Sequence, residues 1–251
     1  MSKVLIAGES WITQSTHIKG VDSFTMNSYV EGVGPLRDAL EGSGHTVTYM
    51  PGHLVPTTFP GTADELAAYD VVVLSDIGAN SIQLAPSVFD KFQRGSDRLG
   101  VLAEWVANGG GLLMVGGYLS FTGFEGKAAF RQTVMADVLP VEMLADDDRM
   151  ERPGGVVATI DNPNHEIVAN IAGDWPHLLG YNKTVLKPGS ELIASVGTDP
   201  LIAVHSYGAG RSAVFTSDCS PHWAPPEFCE QWAGYSLLFD NLITWLNAAE
   251  R

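Results

Sequence analysis

The sequence predicts an α/β fold: a doubly wound, mostly parallel sheet with helices on both faces and a partly antiparallel C-terminal extension. Three observations carry that expectation. Short apolar or alternating runs at residues 3–7, 45–50, 70–75 and 111–115 have the length of sheet strands. Segments of helical spacing, closed by glycine, lie between them, and such alternation gives parallel strands joined by right-handed crossovers. Beyond about residue 126 the texture shifts to short strand-like runs with turn residues between them.

In chain order, Lys3–Ala7 is a buried-strand run ending at Gly8. Glu9–Ser28 shows no clear period and reads as a long, ordered, functional connection, since loops of this length are uncommon as mere connectors. Tyr29–Glu41 reads as a helix closed by Gly42 and Gly44, His45–Met50 as the second strand, and Thr62–Ala68 as a short helix. Asp70–Leu74 is the third strand, with a polar tip at 76–80; Asp97–Asn108 is a helix with Asp97 as an acid in its first turn. Lys127–Val138 looks helical, 146–155 looks polar and turn-rich, and Asn164–Ile171 looks like a short helix. Strand-like runs follow at 156–160, 184–186, 191–196, 201–206 and 211–216, and Gly208-Ala209-Gly210 is a hairpin signature. The last helix, about Cys229–Ala249, carries Trp232 and repeats Leu238, Leu242 and Trp245 at four- and three-residue spacing. With no repeat, low-complexity tract or linker, the chain reads as one domain over residues 1–251.

The 251 residues carry 45% apolar and 17% charged side chains, ordinary for a globular enzyme-sized chain with ample core. A net charge of −15, with no basic cluster, excludes nucleic acid as a partner and disfavours an anionic membrane surface. Two cysteines, Cys219 and Cys229, make no disulfide framework and read as small buried hydrophobes. The chain opens directly on a strand without a leader or a bilayer-length apolar run, so a cytoplasmic location is expected.

The stretch from Asn108 to Gly126, NGGGLLMVGGYLSFTGFEG, organises the chain. A glycine stop, the run Leu112–Val115 and a second glycine break place Tyr118, Ser120, Phe121 and Thr122 just past a parallel strand, where ligands of open α/β sheets bind. This stretch, the Trp11…His17-Ile18-Lys19-Gly20-Val21-Asp22-Ser23-Phe24 segment and Asp218…Pro221-His222-Trp223 resemble the class I glutamine amidotransferase-like superfamily. The nearest branch is the one labelled putative glutamine amidotransferase, beside the ThuA-like proteins of trehalose utilisation. The resemblance spans most of the chain and implies a flavodoxin-like domain.

True amidotransferases carry Gly-x-Cys-x-Gly at the elbow and His-x-Glu near the end. Here Gly116-Gly117-Tyr118-Leu119-Ser120 puts Tyr118 in the cysteine's slot, and Ala224 stands two residues after His222. The fold therefore carries over and the glutaminase activity does not, because that route needs a histidine-activated thiolate and a phenol ionises only near pH 10.

His17, Asp22, Asp218 and His222 could form a metal set, yet no close-spaced ligand motif is present, and hydrogen bonding among them is the plainer role; no metal is assigned. Ser120 with His222 could make a nucleophile pair, but G-x-S-x-G is absent. Gly8-Glu9-Ser10 lacks a dinucleotide or Walker signature, so no cofactor is implied, and Asp146–Asp148 reads as a solvated acidic turn. Trp11, Tyr118, Phe121, His222 and Trp223 suit a pocket for a small polar, sugar-like metabolite. The expected site thus has His222, Tyr118 and Ser120 as chemical groups and Trp11, His17, Asp22, Gly117, Phe121, Asp218 and Trp223 around the ligand. Two classes stay open: a pseudo-amidotransferase that binds a metabolite, and a hydrolase or isomerase with His222 as acid/base, metal-assisted or not. Self-association into a homo-oligomer also stays open.

Overall fold

The computed structural model describes residues 1–248, and its architecture follows from strands whose two faces are both apolar. The strands are β1 (Lys3–Gly8), β2 (Ser10–Lys19), β3 (Asp22–Glu31), β4 (Thr46–Pro51), β5 (Val71–Ser75), β6 (Gly111–Val115) and β7 (Val141–Met143). They continue as β8 (Arg149–Val156), β9 (Thr159–Ile160), β10 (Leu178–Asn182), β11 (Thr184–Leu186), β12 (Glu191–Val196), β13 (Asp199–Tyr207) and β14 (Gly210–Phe215). One eight-stranded sheet has the order β4-β1-β5-β6-β14-β13-β12-β9. Its first five strands are mutually parallel, and β13, β12 and β9 extend it antiparallel. Numbered among themselves, the parallel strands run 2-1-3-4-5, the flavodoxin-like order, with the switch point between β1 and β5.

Alternation along each strand divides the core in two. Val4, Ile6, Val71, Val73, Leu113 and Val115 pack under the helices Gly34–Gly42 and Gly234–Asn247. Their neighbours Leu5, Ala7, Val72, Leu74, Leu112 and Met114 face the helix Arg98–Ala107. That helix starts where Asp97, as its N-cap, accepts from the Gly100 N–H at 3.0 Å.

Several local expectations are corrected. The supposed long loop after β1 is a hairpin, β2–β3, paired from Ser10 opposite Glu31 to Lys19 opposite Asp22. Its solvent-facing surfaces impose no hydrophobic alternation, which hid it. The predicted helix at Tyr29 accordingly begins only at Gly34, with Pro35 in its first turn. Lys127–Val138 is one short 3₁₀ turn, Phe130–Gln132, and a single helical turn, Met135–Val138, because Ala129 sits at positive φ. The polar patch around Arg149 is strand β8, which interrupts the strand expected at 156–160, and Asn164–Ile171 shrinks to a 3₁₀ turn at Glu166–Val168. The last helix is split into a turn at Pro226–Cys229 and the helix Gly234–Asn247; Ala249 lies outside the described residues. No helix among the described residues is long and apolar enough to cross a membrane.

Candidate functional site

Three acidic side chains stand at the carboxyl edge of the parallel strands. Glu9 and Asp76 are the residues immediately after β1 and β5, flanking the switch point, and Asp218 follows β14. Glu9 and Asp76 both hold positive φ, 49° and 42°, a conformation that costs a non-glycine residue energy and clusters at functional sites. The Glu9 N–H donates to the Ser75 carbonyl at 2.8 Å, which fixes that turn.

The carboxyl of Glu9 is buried among hydroxyls. Its Oε2 accepts from Ser75 Oγ and, at 3.6 Å, from Cys219 Sγ, while its Oε1 accepts from Ser220 Oγ at 2.7 Å. Ser220 Oγ also lies 3.4 Å from Asp218 Oδ1, so one hydroxyl links two acids. Asp76 Oδ1 accepts the Leu119 N–H at 2.6 Å, and Asp218 Oδ2 lies 3.3 Å from His222 Nδ1. Burial, and next the charge of Asp218, raises Glu9 to about 7. Burial and the Glu9 charge raise Asp76 to about 6; burial and the Asp76 charge raise Asp218 to about 8. The three acids resist ionising together, and near neutrality Asp218 and Glu9 hold protons before Asp76 does.

The elbow after β6 forms the opposite wall. A Cβ on Gly116 would stand 2.1 Å from the Thr216 carbonyl oxygen, so only glycine permits β6 and β14 to close there. Gly117, at φ +146°, passes so near Asp76 that a side chain would collide with it. Asn182 grips this turn, accepting from Gly117 N–H at 2.9 Å and donating to its carbonyl at 3.1 Å. Asp148 holds the rest of the elbow, accepting from the N–H groups of Thr122 and Gly123 at 2.8 and 3.0 Å and from Asn182 Nδ2 at 2.8 Å. Read from sequence as part of a solvated turn, Asp148 is in fact buried.

These elements enclose a cavity of about 560 Å³ with Glu9, Asp76, Asp218 and Ser220 at its polar side and Trp11, Tyr118, Phe124 and His222 among its walls. The Tyr118 and His222 rings meet edge to face at 4.5 Å. The Tyr118 hydroxyl donates to Glu151 Oε1 at 2.9 Å, and burial raises its pKa further. It is a fixed wall group.

Of the ten residues singled out in the sequence, Trp11, Tyr118, Asp218 and His222 share this cavity. Trp223 stands behind it, buried, its ring stacked on His222 and its Nε1–H donating to Glu151 Oε2 at 3.1 Å. Gly117 shapes the elbow. Ser120 is turned inward, donating to the Val115 carbonyl at 2.6 Å and accepting from Asp76 N–H at 3.2 Å, and does not line the cavity. Phe121 belongs to the core. His17 and Asp22 ride the outer half of the β2–β3 hairpin, exposed, so the four-residue metal set is not assembled. Glu9, Asp218 and Cys219 do bring one donor atom each within 4.8 Å of the others. Those atoms already share hydrogen bonds with Ser75, Ser220 and His222, and the Cys219 thiol is pushed well up by burial and the adjacent acids. Sequence reasoning missed Glu9 and Asp76 as site groups. The signal was present as LIAG-Glu9, VLS-Asp76 and FTS-Asp218, an acid just beyond each of three apolar runs.

A flavodoxin-like sheet with an elbow after its fourth parallel strand and a pocket at its switch point defines an amidotransferase-like α/β protein. The chain belongs to the GATase1-like family, described as putative glutamine amidotransferase, which matches residues 3–248. It is similar over 99% of its length to all of a solved cytoplasmic protein of Salmonella typhimurium, at 42% identity and TM-score 0.95. A second cytoplasmic protein, from Salmonella typhimurium LT2, is 45% identical with TM-score 0.93 over 97% of this chain and 99% of that one. A ThuA-like protein of Bacteroides uniformis shares the fold at 13% identity and TM-score 0.58, over 97% of this chain and 90% of that one. No curated protein matches the sequence.

Proposed function

We propose that this protein binds a small, hydroxyl-rich, sugar-like metabolite in the cavity above β1, β5, β6 and β14, and that it does not hydrolyse glutamine. The observation that carries the reading is the meeting of three buried carboxyls, each raised towards neutrality, with aromatic faces in one cavity. A carboxyl near half-protonation both donates and accepts, as a sugar hydroxyl does, and aromatic faces receive the apolar side of a sugar ring. Against glutaminase chemistry stand Tyr118 in the elbow slot and a Cys219 thiol that is fully buried and reluctant to ionise. Both Salmonella relatives are called cytoplasmic, and we place this chain in the same compartment.

A thermal-shift series with monosaccharides, disaccharides, sugar acids and polyols tests the reading. A true ligand at a hundred times its Kd adds about 2.7 kcal/mol of stability. One class should raise the Tm of the wild type and leave Asp76→Asn unmoved. A panel without effect, or a shift that persists in Asp76→Asn, refutes the site.

A second reading, acid–base catalysis, rests on the Asp218–His222 contact at the cavity wall. It predicts that His222→Asn abolishes turnover of the bound compound while keeping its affinity. Unchanged turnover in that variant would remove His222 from the chemistry.

A further inference from the structure

Beyond its base, where Ser10 Oγ accepts from Gly52 N–H, Tyr29 meets His53 and Trp11 lines the cavity, the hairpin from Ser10 to Glu31 pairs chiefly with itself. Its strands pair over ten positions each, and every residue beyond Ser10 is exposed. Register and alternation sort its side chains onto two faces. On one, Trp11 stands opposite Val30, Ser15 opposite Met26 and His17 opposite Phe24, with Lys19 and Asp22 paired at the tip. The His17 ring stacks on Phe24 at 4.9 Å, and the Lys19 ammonium lies 5.8 Å from the same ring. Phe24 remains 47% and Met26 57% exposed, and Ile18 on the opposite face 75%. A lone two-stranded ribbon is marginal in water at best, and so much apolar surface on it marks a contact.

We propose that this arm is a self-association element, whose Trp11–Phe24–Met26–Val30 face is covered by a second copy of the same chain. Area is the first argument. The arm's large apolar residues, on both faces and at the tip, leave on the order of 1,000 Å² accessible, of which Trp11, Phe24, Met26 and Val30 hold somewhat under half; with the exposed Thr13, Ser15, His17 and Ser28 between them, this face approaches the roughly 800 Å² that each partner gives to a standard stable interface. The composition of the face is the second: an aromatic and methionine centre with charge confined to Lys19 and Asp22 at its rim is the anatomy of an interface core. Charge is the third. The chain carries −15, but the arm holds only Lys19, Asp22 and Glu31, so two such chains can meet there with little repulsion. A twofold axis sets arm against arm and so matches each face with its own kind.

The arm also adjoins the cavity. Trp11 belongs to both the apolar face and the cavity wall, and the Gly32 N–H closes the arm's base by donating to the Glu9 carbonyl at 2.9 Å. A copy seated on this face therefore borders the mouth of the cavity. The proposal does not depend on what the cavity binds.

Sedimentation velocity and light scattering on the full chain, from micromolar to sub-millimolar concentration, test it. The wild type should have twice the 26.9 kDa mass of one chain. Phe24→Asp combined with Met26→Asp should weaken association by roughly a hundredfold or more, as loss of two central anchors does, with the far-UV circular dichroism of the rest unchanged. A second variant, the arm residues 12–29 replaced by a short glycine turn, should be monomeric at every concentration. A monomeric wild type, or a dimer that survives both variants, overturns the proposal.

Discussion

Replacing Glu9 by glutamine should change the sign of its effect on stability between pH 5 and pH 8.5. In the fold, burial, and next the charge of Asp218, raise the Glu9 carboxyl to about 7, against 4.5 for an ordinary glutamate. The folded state thus binds more protons than the unfolded chain between those values, and stability falls as pH rises through that window. Ionising Glu9 inside the fold costs about 3 kcal/mol more than ionising it in the unfolded chain. At pH 8.5 an uncharged glutamine avoids that cost. It loses one acceptor for Ser75 and Cys219, which offsets about 1 kcal/mol. The net gain of about 2 kcal/mol corresponds to a Tm rise of roughly 4–8 °C for a chain of this size. At pH 5 the glutamate is already protonated, so only the hydrogen-bond loss remains and Tm should fall by roughly 2–4 °C. Differential scanning calorimetry at both pH values reads the outcome. Equal shifts at the two pH values would show that Glu9 is not held protonated, and the proton-sharing account of the cavity would fail with it.

The same sign governs the wild type: Asp76 and Asp218 are also raised, to about 6 and about 8, so Tm should decline from pH 5 to pH 8.5, and a rise would contradict their burial as acids. Asp148→Ala strands the N–H groups of Thr122 and Gly123 and the Asn182 amide, and should cost about 3 kcal/mol or more in urea unfolding; a loss under 1 kcal/mol would mean water replaces the carboxylate. Gly116→Ala should abolish soluble folded protein or cost at least about 3 kcal/mol, because its methyl group meets the Thr216 carbonyl; an unperturbed variant would show that β6 and β14 are not so close. Purified protein should release no ammonia from glutamine above background, and release that vanishes in Cys219→Ala would make the buried thiol a nucleophile after all.

The parallel half of the fold was legible because its strands are apolar on both faces and separated by glycine-stopped helices. Val71–Ser75 and Gly111–Val115 sit where their runs put them, and the Gly208 turn joins β13 to β14 as its dipeptides indicate. The β2–β3 arm was illegible because neither of its faces meets this chain's core, so no period-two pattern was required of Trp11–Val30. Within the site, His222, Tyr118 and Trp11 stood out as aromatic or basic residues in glycine- and proline-rich stretches. Glu9 and Asp76 did not, since a single acid after a strand is commonly a solvated turn residue; what makes them site groups is the sheet, which sets β1 beside β5. Asp148 was missed for the same reason: its partners Thr122, Gly123 and Asn182 are distant in sequence.

The attachment of the acids differs from that of the walls. Glu9 and Asp76 are bound to the register of the central strands, where Gly8 pairs with Ser75, while Trp11, Phe124 and Lys127 come from connections that lie outside the main sheet. A change in the arm or in the Phe124–Lys127 turn can therefore remodel the cavity's shape without displacing its acids, whereas the Gly117–Ser120 elbow, which holds Asp76, cannot change so freely. Descendants of one ancestral sheet can in this way exchange ligands while inheriting the same floor, and the connections, not the strands, are where selection for a new ligand would leave its mark.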